Sequence, residues 1–311
     1  MAFHADLRLL AASRNHDLTP GTLGAVTQLS ARCEVDLTVT HVATRPLAPF
    51  TPTPLPFELD AAPRRIQRRE VPGPDPARAL ARLCAEEPFD LVLAPAGRAG
   101  GAWPQWRGSL RSRLLRLSNT PVWTVGPGVP GRHFERPLRT VACLVDFDVN
   151  PEGLLQRAAA FARRMDARLH VLAVLPPVDD GTLAVVLSSE MPLLPSAAVE
   201  RIEQLCAGRP APLVDVVVDG LRRGLARLVE RSQPDVLFVR ARQWSPAWPL
   251  AFPRPLDALR CPVICVPDEM TLPDWTFERA TAAQRLTGSG AVSVRQPVPA
   301  AWPPGTPSEV G

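Results

Sequence analysis

"PFDLVLAPA", Pro88 to Ala96, and "QPDVLFVRA", Gln233 to Ala241, each set a proline and an aspartate before a short apolar run. A second pair follows them in the same order, "NTPVWTV" at 119–125 and "RCPVICV" at 260–266. The copies sit 145 and 141 residues apart, so the chain reads as one unit used twice. Short apolar runs bounded by turn residues read as buried strands, and alternating them with helical periodicity predicts a parallel sheet with helices on both faces.

Working outward from these stretches, the first half shows a strand at Leu7–Ala12 and a helical pattern from Thr22 to Cys33. A β-branched strand, "VDLTVTHVA", covers Val35–Ala43. Residues 44–63 are proline-rich and read as a loop. "IQRREV", Ile66–Val71, alternates only weakly. Asp75 and Pro76 open a helix through Ala85. "DLVLAPA" is a buried strand, Trp106–Ser118 a helix, and "PVWTVGP" the closing strand. The second half repeats this order. Strands are expected at "RTVACLVDF", "RLHVLAVLP", "LVDVVVD", "DVLFVRA" and "PVICVP". Helices are expected at Pro151–Met165, capped by Asn150, near Ala197–Cys206, at Leu221–Arg231 and, briefly, at Pro255–Arg260. The expected organisation is a first domain at 1–127, a linker at 128–138, a second domain at 139–268 and a disordered tail at 269–311, with a short helix at Trp275–Arg285 within it.

Composition narrows the class. There are 311 residues, 46% of them hydrophobic, enough for two buried cores. All 35 basic residues are arginine; together with abundant Ala, Pro and Leu, this reads as a coding bias toward GC-rich codons. The densest basic cluster, Arg64, Arg65, Arg68 and Arg69, lacks interleaved aromatics and reads as a solvated face, which argues against nucleic acid. No apolar run is long enough to span a bilayer and no leader pattern opens the chain, so the expectation is a cytoplasmic protein without a membrane partner. The six cysteines are scattered and read as buried, reduced thiols.

With the repeat, the "HV" end of the second strand (His41-Val42), the aspartate entering the fourth strand and the "cPVhhV" last strand in view, the sequence resembles a tandem universal stress protein of the UspA-like family. The likeness covers about 260 residues. It implies two Rossmann-like, doubly wound α/β domains, each with a five-stranded parallel sheet in the order 3-2-1-4-5, joined through their last strands as an intramolecular pseudo-dimer. It also implies binding of ATP or AMP, with an aspartate ending the first strand on the adenine side and a G-x2-G-x9-G-[S/T] loop around ribose and phosphates. Glycines let such a loop approach phosphate oxygens, and the following helix N-terminus favours their charge.

Each half matches that pattern in part. The first has Gly97 and Gly100, then Gly108 and Ser109, with seven residues between Gly100 and Gly108 in place of nine. Arg98 and Arg107 flank the glycines and suit phosphate. Trp103 and Trp106 stand where polar residues are usual. The adenine-side aspartate aligns with Ala12 or Ser13. The second half has Asp146 at the aspartate position, but "RARQWSPAWPLAFPRP" after its fourth strand has no glycine. It has four prolines, Pro246, Pro249, Pro253 and Pro255, which remove amide donors. The candidate nucleotide-binding set is therefore Gly97, Arg98, Gly100, Gly108 and Ser109, with Val42 from the second strand and Asp146 from the other half. The two sites are expected to be separate.

No hydrolase, zinc-protease or P-loop pattern is present, and the absence of lysine excludes a P-loop or Schiff-base lysine. His4, His16, His41, His133 and His170 form no spaced pair; His41 and His170 read as core histidines. Asp179-Asp180 reads as a solvated pair. The sequence thus points to a non-catalytic stress-response regulator with unidentified protein partners and open to further dimerisation. The alternative is a weak ATPase or adenylyl-transfer enzyme of the related adenine-nucleotide fold, with the Gly97 loop as its active site. No metal is expected.

Overall fold

The structure, a computed structural model, describes residues 6–13, 18–43, 62–95, 110–126, 129, 131–147, 150–176, 194–207, 211–241 and 259–267. In the first half these form β1 (Asp6–Ser13), α1 (Pro20–Ser30), β2 (Glu34–Ala43), β3 (Arg65–Pro72), α2 (Pro76–Glu86), β4 (Leu91–Pro95), α3 (Leu110–Leu117) and β5 (Val122–Val125). A 3-10 turn, Gly131–Phe134, leads to the second half. There follow β6 (Thr140–Val145), α4 (Glu152–Arg164), β7 (Arg168–Leu175), α5 (Pro195–Leu205), β8 (Leu213–Val218), α6 (Leu221–Ser232), β9 (Val236–Arg240) and β10 (Val263–Val266). The expected tail, the Trp275–Arg285 helix and most of the Pro255–Arg260 piece lie outside the described residues, as does the start of the helix read from Trp106.

The strands build one sheet in the order β3-β2-β1-β4-β5-β10-β9-β6-β7-β8. Each half contributes the order 3-2-1-4-5, read from opposite edges. Every pairing is parallel except β5 with β10. In that junction Trp123 lies directly opposite Ile264. The two residues hold the same place in the related strands VWTV and VICV, so the junction has the local symmetry of a two-fold contact.

Alternate residues of each strand enter different cores, as the period of two requires. Leu9, Ala11, Trp123, Phe161 and Phe238 share one core, and Leu10, Val92, Leu114, Leu228 and Leu237 the other. Phe161 of α4 meets Trp123 of β5 edge-on at 5.8 Å and Phe238 of β9 at 5.3 Å, so a helix of the second half closes over a strand of the first.

Local signals explain the helix starts. The Thr19 hydroxyl accepts from the Thr22 amide at 3.2 Å, and Pro20 opens α1. This start precedes the Thr22 expected from periodicity, because capping and not the apolar stripe sets the first turn. Asp75 accepts from the amides of Ala77 and Arg78 at 3.1 and 3.3 Å, and Pro76 opens α2. Asn150 accepts from the Glu152 amide at 3.0 Å, but from one place further back than a helix cap, since Pro151 occupies the cap position.

Within the stretch read as a linker, at 128–138, the described residues from 131 to 136 form a packed brace. Phe134 is buried, and a Cβ built on Gly24 of α1 would stand 2.6 Å from its ring. Gln28 donates to the Phe134 carbonyl at 2.7 Å, and the His133 ring bonds the Asp235 carbonyl at 2.8 Å. The turn between the halves is thus tied to α1 on one side and to the start of β9 on the other.

Candidate functional site

In sheets of this kind, ligands sit beyond the carboxyl ends of the strands, where the chain's winding reverses. That reversal lies between β1 and β4 in the first half and between β6 and β9 in the second. The strands there are pinned by the aspartates of the opening motif. The Arg8 amide donates to Asp90 Oδ2 at 2.8 Å, and the Asp90 amide donates back to the Arg8 carbonyl at 2.9 Å. Asp235 does the same for β6, accepting from the amides of Arg139 and Thr140 at 2.7 and 2.9 Å and from the Arg136 guanidinium at 3.3 Å. These carboxylates stand at the amino ends of the strands, opposite the crevice. Their place is architectural, and burial pushes the Asp90 carboxyl above its ordinary range despite the Arg8 amide.

Of the residues expected to bind nucleotide, Gly97, Arg98, Gly100, Gly108 and Ser109 lie outside the described residues, as do Arg107, Trp103 and Trp106. Their flanks are described. β4 ends at Pro95, two residues before Gly97, and α3 begins at Leu110, directly after Ser109. Val42 is buried near the carboxyl end of β2, opposite Val71 of β3. Asp146 follows β6 and is half-buried. Val42 and Asp146 are six strand spacings apart in the sheet, roughly 30 Å at about 4.8 Å per strand. The fold does not bring them into one site.

The register corrects one alignment. Leu9 pairs with Leu91 where Val141 pairs with Val236. Counting five residues on from Leu9 and from Val141, Asp146 corresponds to Arg14 and not to Ala12 or Ser13. The first half thus carries a basic residue in its sequence where the second carries a carboxylate; Arg14 itself lies outside the described residues. Ser13 lies within the strand, and its hydroxyl donates to the Thr40 carbonyl at 3.1 Å.

Two arginines that sequence reasoning missed stand at the second crevice. Arg240, ending β9, donates to the Asn150 carbonyl ahead of α4. Arg157 is buried on α4; burial, and then the nearby Arg240 charge, lower its pKa from the usual arginine value. The sequence offered one hint, since Arg157 interrupts the apolar face "LLQRAAAFA".

Elsewhere His41 and His170 are buried, and His170 Nε2 bonds Asp215 Oδ2 at 3.0 Å. The six cysteines are free thiols, and burial pushes Cys261 up to about 12. Two arginines of the Arg64 cluster are paired with acids: Arg64 reaches Glu34 and Asp36 at 3.1 and 3.2 Å, and Arg69 reaches Glu87 at 2.5 Å. Among the described residues, no group of three or more His, Cys, Asp or Glu is arranged to hold a metal, and no helix is long and apolar enough to cross a membrane.

Strand order and crevice together define a doubly wound α/β protein. Residues 137–253 match the model of the universal stress protein family, and the first half repeats the strand order of the second. Among solved structures, a protein of Pseudomonas aeruginosa UCBPP-PA14 assigned to the universal stress proteins is 12% identical, covers 85% of this chain and 93% of its own, and superposes with a TM-score of 0.54. A functionally unknown protein of Pseudomonas aeruginosa PAO1 is 13% identical over 84% of this chain and 92% of its own, with a TM-score of 0.55. A universal stress protein of Archaeoglobus fulgidus DSM 4304 is 13% identical over 85% of this chain and 97% of its own, with a TM-score of 0.52. At these identities the likeness is one of fold. No curated protein matches the sequence.

Proposed function

We propose that the chain is a two-domain universal stress protein, duplicated from one unit, that acts without catalysis as a stress-response regulator, binding ATP or AMP in its first half and protein partners elsewhere. The observation that carries the nucleotide reading is the place of the Gly97–Ser109 stretch. It joins the carboxyl end of β4 to the first residue of α3, at the reversal point beside β1. Glycines there let amides approach phosphate, Arg98 supplies charge, and the amino end of α3 adds its dipole. Val42 closes the crevice wall from β2. In the second half the corresponding stretch is rich in proline and poor in amide donors, so its crevice serves no phosphate loop.

The test is mass spectrometry of small molecules released from the purified full chain, followed by calorimetric titration with ATP and AMP. One nucleotide per chain is expected. Gly108→Leu should weaken binding at least about tenfold by blocking the backbone's approach, while Asp146→Ala leaves it unchanged. Binding lost with Asp146→Ala but kept with Gly108→Leu would move the site to the second half. Absence of binding to either nucleotide would overturn the reading.

A further inference from the structure

The sheet has two outer strands, and they differ in kind. β3, "RIQRREVP", carries three arginines, a glutamate and a closing proline, the usual means of keeping an edge from pairing with another chain. β8, "LVDVVV", carries four valines, a leucine and one acid, and no described strand lies beyond it. Its end residues Leu213 and Val218 are 51% and 46% exposed. The one acid is already answered within the chain, since Asp215 is bonded to His170 at 3.0 Å and to Arg231 of α6 at 2.6 Å.

We propose that β8 pairs antiparallel with β8 of a second copy, making one continuous twenty-stranded sheet across a two-fold axis. The geometry favours a second copy over an unrelated strand. A two-fold perpendicular to the sheet keeps each face continuous, so a residue must meet its own counterpart at the centre. Centring on Asp215 would oppose two like charges, which disfavours that register. Centring on Val216 sets Val216 against Val216, Asp215 against Val217 and Val214 against Val218, with no charge opposed. Centring on Val217 leaves only three residues paired. The molecule already holds one such contact inside itself, where Trp123 and Ile264 face each other between β5 and β10. Five facing residues make a small interface, so the dimer is reversible. This inference is independent of the nucleotide reading.

Sedimentation equilibrium of the full chain, over about 1–200 µM, tests it. A monomer–dimer equilibrium is expected. The Leu213→Glu/Val218→Glu variant, at exposed positions, should weaken it at least about tenfold with an unchanged circular dichroism spectrum, since residue 213 would face Asp219 of the second copy, while Glu70→Lys on β3 leaves it as it was. Val216→Cys, oxidised and peptide-mapped, should give a disulfide between two copies of residue 216, and Asp215→Cys should give none. A monomer throughout the range, a dimer indifferent to the double variant, or a dimer in which residue 216 does not cross-link to itself would each overturn the proposal.

Discussion

The two halves share a strand order, yet they have kept different things. The second matches the universal stress protein family over 137–253 but has no glycine in the stretch after β9. The first has the glycines but lies outside that match. The matched stretch holds β6 to β9 and the aspartate entering β9, while the closing PVICV at 262–266 lies beyond it. The match also runs through 241–253, the glycine-free stretch that stands where the first half has its glycines. The two halves thus share strand order while the sequence after the fourth strand differs, which is open to a molecule whose strand ends are braced at the opposite edge from its crevice.

The bracing aspartates offer the sharpest comparison. Asp235 satisfies two backbone amides and faces Arg136, while Asp90 satisfies one amide. Asp235→Ala should cost about 2–4 kcal/mol and Asp90→Ala about 1–2 kcal/mol, since each leaves buried donors without an acceptor. Urea unfolding of the two variants checks this. Equal losses would mean that the extra bonds of the second half add nothing.

The first helices of the halves come next. A Cβ on Gly24 of α1 would stand 2.6 Å from Phe134, whereas a Cβ on Gly153 of α4 meets nothing within 4 Å. Gly24→Ala should therefore cost about 1–3 kcal/mol through overpacking, and Gly153→Ala should be neutral or stabilising by up to about 1 kcal/mol. Thermal melts distinguish them. A harmless Gly24→Ala would show that the turn at 131–134 is not held against α1.

The smallest effect concerns the helices that follow β3 and β8. Asp75 caps α2 and is bonded to Arg113, while the matching place before α6 is Gly220, with no side-chain cap. Burial raises the Asp75 pKa, but the Arg113 guanidinium and the amides of Arg78 and Ala77 outweigh it and hold the carboxyl below the ordinary 3.8. A carboxyl lowered on folding stabilises the fold above its unfolded value, and the gain is lost as pH falls through the folded one. Asp75→Asn should thus narrow the stability difference between pH 6 and pH 3. Gly220→Asp should add a few tenths of a kcal/mol, more at pH 6 than at pH 3. An unchanged acid limb in Asp75→Asn would remove Asp75 from the account.

Much of the framework was legible because apolar runs and turn residues are local signals. The strands at Val35–Ala43 and Leu91–Pro95 and the cap at Asp75 needed no partner to be read. Position in the sheet is not local. "LVDVVVD" reads like any buried strand, and nothing in it tells that β8 lies at an edge. "IQRREV" reads weakly because its charges suit an edge and not a core. "GPGVPGRHFERP" reads as slack because Gly and Pro dominate it; the anchoring role of Phe134 exists only once Gly24 lies beneath it. The crevice arginines were hidden for the same reason, since Arg157 and Arg240 are 83 residues apart and meet only through the strand order. Only Val42 and Asp146 of the expected nucleotide set fall on described residues, and they stand in different halves.

That brace at residues 131–136 changes what the covalent connection is for. With Phe134 seated against α1, His133 on the Asp235 carbonyl, and β5 locked to β10, the halves are held together by surfaces. A protease cut in the neighbouring 127–130 stretch would leave one particle made of two polypeptides. The same contacts would let the halves, produced as separate fragments cut there, find each other and restore the whole, so the peptide bond at the join acts as a concentrator and not as a fastener.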